Sequence, residues 1–257
     1  MKDLNVSIIQ TELAWEDPQA NFERFEELIG AIDVNTDLIV LPEMFTTGFS
    51  MNTKNYDLPE GKTLDWLRHQ AHNKQAAITG SVIIKEKENF YNRLYFVKPD
   101  KSFQTYDKKH LFTLAKEQNH YTAGQERLIV EYKGWKICPL ICYDLRFPVW
   151  ARNTDDYDVL IYVANWPEKR VSAWDALLKA RAIENMCYCV GVNRVGVDGK
   201  DFPYSGHSAI YDVLGEKMTT DLFEESFVET KTLSKKQLIE TREKLGFLKD
   251  KDGFSLL

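Results

Sequence analysis

Short apolar runs alternate with segments of helical periodicity along the chain, a pattern typical of α/β proteins. The run from Val6 to Ile9 predicts a first strand. Asp17 followed by Pro18 then predicts a helix N-terminus, because aspartate caps helices well and proline suits their first turn. The apolar residues that place one face of this helix in the core are Phe22, Phe25, Leu28, Ile29 and Ile32.

The same reasoning predicts further elements to the end of the chain. We expect strands at 37–43, 77–84, 91–97, 103–106, 128–132, 135–142, 159–163, 187–192 and 208–213, the last closing a hairpin with 217–219. We expect helices at 63–75, 147–153 and 172–187, and from a capping box at Ser234 to about Gly246. Because no linker, low-complexity tract or repeat interrupts this pattern, we expect one domain over residues 1–257.

Composition narrows the class of protein. The 257 residues are 44% hydrophobic, enough for a sizeable core, and the net charge of −6 comes without a basic stripe, so we expect no nucleic-acid partner. No run approaches the roughly 18 apolar residues of a membrane helix, and the first residues lack the apolar segment of a signal peptide. We therefore expect a cytoplasmic protein without a membrane partner.

Cysteine and histidine spacing argues against a metal centre. Cys138 and Cys142 form a C-x3-C pair and Cys187 and Cys189 a C-x-C pair, both within apolar runs that resemble strands. The five histidines form neither an H-x3-H nor an HExxH pattern. In a cytosolic chain such cysteines are expected to be free thiols. We therefore expect no metal.

Cys142 ends an apolar strand and directly precedes the charged segment Tyr143-Asp144-Leu145-Arg146. Such a strand brings a thiol to the edge of a sheet, where ligands bind in open α/β folds. Backbone N–H groups just beyond the strand are free to face an anion, especially if a helix starts there. A nucleophile beside N–H donors is half of an acyl-transfer site, with a buried structural thiol as the alternative.

Two other charged positions also follow apolar strands. Glu43 comes directly after Leu41-Pro42, and Lys108 and Lys109 follow the strand that ends at Tyr106. Each of these residues, taken alone, could equally be an ordinary surface residue. Together with Cys142 they are complementary, since a carboxylate can take the thiol proton and an ammonium can stabilise an oxyanion. No histidine pattern supplies a base, so the residues favour a Cys-Glu-Lys site over a Cys-His pair.

Three segments carry a resemblance to a known family: Leu41-Pro42-Glu43, Tyr106-Asp107-Lys108-Lys109-His110-Leu111-Phe112 and Cys142-Tyr143-Asp144-Leu145-Arg146-Phe147-Pro148. They resemble the three signatures of the nitrilase (carbon–nitrogen hydrolase) superfamily, in its order, and the similarity covers nearly the whole chain. Ala164-Asn165-Trp166-Pro167 and the segment 181–185 are most similar to the bacterial ω-amidase branch. The resemblance implies an α/β fold of four layers, an α-β-β-α sandwich of two mixed sheets.

The resemblance implies a role for each aligned residue. Cys142 would attack the amide carbon, and Glu43 would act as base and then as acid. Lys108, rather than its neighbour Lys109, would hold the oxyanion together with the backbone N–H of Tyr143. A primed nucleophile of this kind predicts a lowered pKa for Cys142, so that it alkylates ahead of the other three thiols.

Further candidates surround this set. Glu117 aligns with a second glutamate that supports the lysine in the family, with an exposed loop acid as the alternative. Trp166 and Phe112 are expected to line the pocket, because Trp166 lies between a strand end and a proline.

Arg146 is a candidate for binding a substrate carboxylate. An arginine two residues after Asp144 more often forms an ion pair with that aspartate, and we favour this second interpretation. Asn165 and Arg170 are weaker candidates for polar contacts with a substrate.

The implied activity is hydrolysis of the terminal amide of 2-oxoglutaramate or 2-oxosuccinamate to the acid and ammonia, without a cofactor. The alternatives are an N-carbamoyl compound, a nitrile or another linear amide as substrate, or a nitrilase-like binding module without turnover. Dimers of the family pack their helix layers together, so we expect a homodimer or a larger homo-oligomer. The apolar tail from Phe247 to Leu257 would fit across that interface or pack on its own chain.

Overall fold

The first of two main sheets has six strands and comes mostly from the first half of the chain. The computed structural model describes residues 2–255. The strands of this sheet are β1 (Leu4–Gln10), β2 (Leu38–Val40), β3 (Ala77–Glu86), β4 (Asn89–Val97), β5 (Phe103–Asp107) and β13 (Phe227–Leu233). Their order is β13-β1-β2-β3-β4-β5, with β1, β2 and β3 parallel and the other neighbours antiparallel. The sheet is therefore mixed, as expected.

The second sheet has five strands and comes from the second half of the chain. Its strands are β6 (Val130–Tyr132), β7 (Trp135–Ile141), β8 (Val159–Val163), β9 (Tyr188–Val192) and β12 (Ala209–Tyr211). They lie in the order β12-β9-β8-β7-β6, with a parallel centre of β7, β8 and β9 between antiparallel edges. A separate small hairpin pairs β10 (Val195–Val197) with β11 (Pro203–Ser205).

The α-helices form the outer layers of the molecule. They are α1 (Pro18–Gly30), α2 (Lys62–Lys74), α3 (Pro148–Ala151), α4 (Val171–Asn185) and α5 (Lys235–Leu245). α1 and α2 pack on one face of the six-stranded sheet, and α4 packs on the five-stranded sheet. The predicted four-layer α-β-β-α sandwich is confirmed.

Alternation along the strands explains why two layers of core form. Val6 and Ile8 of β1 and Val40 of β2 lie in the core between the sheets, whereas Ile9 and Ile39 belong to the core beneath α1 and α2. Successive side chains of a strand point to opposite faces, so a strand that is apolar at every position must be covered on both sides. The continuous apolar runs in the sequence reflect this double burial.

Most predicted elements lie within a few residues of those observed. The Asp17 side chain accepts a hydrogen bond from Ala20 N at 3.0 Å, which caps α1 as expected. Ser234 likewise caps α5 by accepting from Gln237 N at 3.4 Å, and α5 stops before the left-handed Gly246. Both helix caps could therefore be predicted from the local sequence.

Four parts of the secondary structure differ from expectation. The helix predicted at 147–153 covers only Pro148–Ala151, and of the hairpin at 208–219 only β12 forms, with a single bridge from Tyr211 to Lys217. The β10–β11 hairpin and β13 were not predicted. Alternating polar residues hid β13, which becomes a strand because β1 offers it an unpaired edge.

The carboxyl-terminal tail returns to its own chain. A short 3₁₀ turn at Phe247–Asp250 leads to Lys251, whose Nζ donates to the Asn153 carbonyl at 3.0 Å. Phe247 and Phe254 are exposed, while Leu256 and Leu257 lie outside the described residues. Across residues 2–255, none of the helices combines the length and apolarity that a membrane span requires.

Gly124→Ala should destabilise the protein. Gly124 N donates to the Lys108 carbonyl at 2.9 Å, and a Cβ at this position would lie 2.1 Å from the Asp107 carbonyl oxygen. Because two backbone segments must separate, we expect a loss of about 1–3 kcal/mol, measured by urea unfolding. Gly30→Ala is the control, since nothing lies within 4 Å there, and it should leave stability unchanged or slightly higher. Equal stabilities for the two variants would contradict this account.

Candidate active site

Cys142 lies where β7 meets a short 3₁₀ helix, Cys142–Arg146. Its backbone is left-handed, with φ of 43°, a conformation that costs free energy for any residue with a side chain. The Sγ atom lies 3.8 Å from the Asn165 carbonyl oxygen, and the residue is 9% exposed whereas the other three cysteines are fully buried. The strained turn thus brings one thiol of the chain to a surface that solvent can reach.

Asp144 stabilises this turn and connects it to the loop after β5. The buried carboxylate accepts from Ile141 N at 3.0 Å and from the Tyr106 hydroxyl at 2.7 Å. It also accepts from His110 N at 3.0 Å and is paired with the ring Nδ1 of that residue at 2.8 Å. The expected ion pair with Arg146 does not form, because these groups from β5, β7 and the following loop occupy the carboxylate.

Glu43 follows β2 and is completely buried. Its Oε1 accepts from Lys108 Nζ and from Asn92 Nδ2, both at 2.8 Å, and its Oε2 accepts from Asn165 N at 2.8 Å. The next residue, Met44, is left-handed with φ of 43°. Donors from both sheets therefore fix this carboxylate in one position.

Lys108 follows β5 and is also buried. Besides Glu43, its ammonium contacts both carboxylate oxygens of Glu117 at 3.0 Å each. Burial works against the charged form of Lys108, but Glu117 and Glu43 outweigh it and hold the lysine pKa above its ordinary value. The ammonium therefore stays charged across the physiological pH range.

Glu117 is a buried partner of Lys108, so the alternative of an exposed loop acid is wrong. Its carboxylate also accepts from the backbone N–H of Phe112. Burial raises the pKa of Glu117, against the opposing effect of Lys108. Two carboxylates and one ammonium thus share a buried site, where each needs its partners to offset desolvation.

The thiol of Cys142 is not primed in the way we expected. Burial raises its pKa well above the ordinary value, the negative charge of Glu43 raises it further, and Lys108 only partly opposes this. The expectation of a lowered pKa is therefore wrong. A raised pKa favours the neutral thiol, so any nucleophilic use of Sγ requires a proton acceptor beside it.

A cavity of about 310 Å³ opens above Cys142 and Lys108, at the small end of the range for ligand sites. Tyr143, Trp166 and Phe112 line it as predicted, and Arg146, Asn165 and Arg170 line it too. The remaining lining residues are Phe49, Met51, Leu114, Ala115, Pro167, Asp198, Lys200, Phe202 and Tyr204. Apolar and aromatic walls surround several charged groups, as in a site for a short polar substrate.

Sequence reasoning missed two parts of this site. Asn92 lies in the middle of β4, where nothing in the pattern marks it, yet its amide contacts Glu43 at 2.8 Å and Glu117 at 3.5 Å. The turn from Asp198 to Phe202 between β10 and β11 reaches the cavity from a distant part of the chain. A buried asparagine in an apolar strand was the one available signal for the first.

Within residues 2–255 no cluster of three or more histidine, cysteine, aspartate or glutamate side chains has the arrangement of a metal site. Glu43, Lys108 and Glu117 are buried charged side chains whose charges act on the Cys142 thiol. Their arrangement supports proton transfer and oxyanion stabilisation at a cysteine nucleophile.

A family model described as carbon–nitrogen hydrolase matches residues 5–242. The chain therefore belongs to the carbon–nitrogen hydrolase family. The resemblance inferred from the three motifs is confirmed.

Curated relatives and solved structures match over the full chain. The omega-amidase YafV of Yersinia enterocolitica is 46% identical over 257 residues, covering 100% of both chains. The 2-oxoglutaramate amidase of Bacillus subtilis is 33% identical, covering 95% of this chain and 96% of that protein. The crystal structure of XC1258 from Xanthomonas campestris, described as a CN-hydrolase superfamily protein with an arsenic adduct in its active site, superposes with a TM-score of 0.97 at 43% identity, covering 100% of both chains.

Glu43→Gln should lower the pKa of the Cys142 thiol. The substitution removes a negative charge that disfavours the thiolate and leaves Lys108 nearby, so the balance of charges reverses. The measurement is the rate of Cys142 alkylation by iodoacetamide against pH, followed by peptide mass spectrometry. The profile of the variant should rise at lower pH than that of the wild type.

The exposed Glu131 on β6 provides the control, and Glu131→Gln should leave the profile unchanged. A profile of Glu43→Gln that stays in place or moves to higher pH would contradict the assigned electrostatics. Because the other three thiols are fully buried, Cys142 should still react first in every protein tested.

Proposed function

We propose that the protein is an ω-amidase that hydrolyses the terminal amide of short 2-oxo dicarboxylic acid monoamides, such as 2-oxoglutaramate and 2-oxosuccinamate. The observation that carries the proposal is that Cys142 and Lys108 line one small cavity while Glu43 contacts Lys108 at 2.8 Å. The full-length similarity to proteins named omega-amidase and 2-oxoglutaramate amidase supports the choice of substrate.

The first half of the reaction transfers the acyl group to the enzyme. Sγ of Cys142 attacks the amide carbon while its proton passes to Glu43. Lys108 Nζ and the backbone N–H of Tyr143 stabilise the oxyanion, since Tyr143 lies in the first turn of a helix, where N–H groups have no internal acceptor. The C–N bond then breaks, Glu43 returns the proton to the nitrogen, and ammonia leaves a thioester on Cys142.

The second half releases the acid. Glu43, again a carboxylate, removes a proton from a water molecule that attacks the thioester carbon, and the same two donors hold the second oxyanion. The C–S bond breaks, and the departing thiolate of Cys142 takes the proton from Glu43, which restores the thiol. The role of Glu117 is to hold Lys108 in place through its two contacts at 3.0 Å.

The apolar walls limit what can enter. The rings of Phe112 and Tyr143 lie 5.0 Å apart, and Trp166 lines the cavity beside them. We propose that these three rings bind the carbon chain of the substrate.

We also propose that the chain acts as one domain and as a homodimer in the cytoplasm. Residues from both sheets build the site, which supports one domain. Four free, buried thiols suit a reducing compartment. Val149 of α3 and Ile183 of α4 leave about half of their apolar side chains exposed on the outer helical layer, which supports pairing of these layers between two copies.

Cys142→Ala should abolish release of ammonia from 2-oxosuccinamate, lowering the rate by roughly 10⁴-fold or more with the fold intact by circular dichroism. The control is Cys138→Ala, a buried thiol four residues earlier on β7, which should keep most of the activity. A panel that adds a nitrile, an N-carbamoyl amino acid and a simple linear amide identifies the substrate class. If the wild type ignores all 2-oxo amides but hydrolyses another member of the panel, the substrate assignment is wrong.

Ile183→Asp should convert the dimer to a monomer, because it places a charge in the apolar contact between helical layers. Size-exclusion chromatography with light scattering measures the mass. Val34→Asp, at an equally exposed apolar residue outside these helices, is the control and should stay dimeric. A monomeric wild type would refute the proposed assembly.

A further inference from the structure

Two arginines of the site lack the partners that arginines elsewhere in the chain have. The chain contains ten arginines, and the guanidinium groups of eight donate hydrogen bonds to other residues. Within the described part of the chain, Arg146 and Arg170 are the two whose guanidinium groups make no hydrogen bond and no ion pair; their contacts are with aromatic rings. Because each arginine side chain carries five N–H donors, the two unpaired guanidinium groups leave many donors available to a ligand.

Both unpaired groups lie at the cavity above Cys142. The Cζ atom of Arg146 lies 4.9 Å from the centre of the Trp166 ring, and that of Arg170 lies 5.2 Å from the centre of the Phe112 ring. A guanidinium that stacks on a ring keeps the N–H groups at its edge available. The aromatic walls thus support the two arginines without using their donors.

The position of Arg170 is fixed further by its backbone. Its carbonyl accepts a hydrogen bond from Trp166 Nε1 at 2.7 Å, and its own N donates to the Pro167 carbonyl at 3.0 Å. One tryptophan therefore supports Arg146 through its ring and Arg170 through its indole N–H. Both arginines are thus connected to Trp166.

The acidic residue of the lining does not neutralise these cations. Asp198 accepts from Lys200 N at 2.8 Å, from Phe202 N at 3.1 Å and from the Tyr204 hydroxyl at 3.0 Å. These hydrogen bonds hold its carboxylate within its own hairpin. Lys200 also lines the cavity and adds a third positive charge. The outer part of the cavity therefore carries net positive charge that a bound anion would balance.

We propose that Arg146 and Arg170 together bind the far carboxylate of the substrate while its amide carbon lies at Cys142. The proposal rests on the proposed ω-amidase function and extends it, because it names the groups that select anionic amides over neutral amides of the same length. Two guanidinium groups suit a carboxylate, whose two oxygens accept several charge-assisted hydrogen bonds. It also reverses the sequence-based interpretation of Arg146 as a partner of Asp144.

The first test compares an anionic amide with a neutral one in Arg146→Met and Arg170→Met, which keep the length of the side chain and remove its charge. Each variant should lose roughly 10- to 100-fold in kcat/KM for 2-oxosuccinamate, mainly through KM, as for loss of a hydrogen bond to a charged group. For butyramide, which lacks the carboxylate, kcat/KM should change less than about threefold. Arg146→Lys and Arg170→Lys should restore part of the loss.

Arg68→Met is the matched control. Arg68 also stacks on an aromatic ring, with Cζ 5.1 Å from the centre of Phe103, but it lies outside the cavity lining. Both substrates should behave as with the wild type. A parallel loss for the anionic and the neutral amide in the Arg146 and Arg170 variants would overturn the proposal, and so would the absence of any loss.

The second test needs no turnover and so separates this proposal from the proposed function. Calorimetry measures binding of 2-oxoglutarate to Cys142→Ala, alone and combined with Arg146→Met or Arg170→Met. Binding that weakens at least about tenfold with either arginine change supports the carboxylate site, and undetectable or unaffected binding overturns it. A wild type that hydrolyses no 2-oxo amide would refute the proposed function, while this binding result still decides the role of the arginines.

Discussion

This site depends on one interaction: a lysine ammonium held between two buried carboxylates. Removing three charges from water is costly, and the arrangement persists only because each charged group finds hydrogen-bonding partners. Lys108 bonds to Glu43 and Glu117, Asn92 bonds to Glu43, and the backbone of Asn165 and Phe112 supplies the remaining N–H groups. Since these groups lie on or directly after strands of both sheets, the site is complete only when the two sheets are packed together.

The same cluster sets the chemistry at the thiol. Burial disfavours a thiolate most and the carboxylates add to this, so Cys142 is held neutral beside a carboxylate instead of ionised in advance. An ion pair of thiolate and cation would already be stable in the resting enzyme, so it would gain less stabilisation during the attack. In the proposed reaction, a neutral thiol next to a fixed carboxylate gains its stabilisation in the transition state, where the proton leaves and the oxyanion forms near Lys108.

Asp144 lies outside the Glu43–Lys108–Glu117 cluster but is equally important for positioning the residues of the site. Its contacts with the Tyr106 hydroxyl, His110 and Ile141 N join the loop that carries Lys108 to the turn that carries Cys142. Because Asp144 is occupied in this way, Arg146 is directed to Trp166 and the cavity. The hydrogen-bond partners of Asp144 thereby leave the Arg146 charge at the cavity.

Sequence alone determined the strands and helices with strong periodicity, the caps at Asp17 and Ser234, and the residues Glu43, Lys108 and Cys142, because local physics and short motifs record them directly. It missed β13 and Asn92, and it misjudged the thiol pKa and the partner of Arg146. These depend on neighbours that are distant in the chain: an edge that β1 offers, two carboxylates from other loops, and an aspartate already bonded to β5. Only the tertiary structure brings such groups together, and electrostatic energies depend on distance and burial, which a linear pattern does not contain.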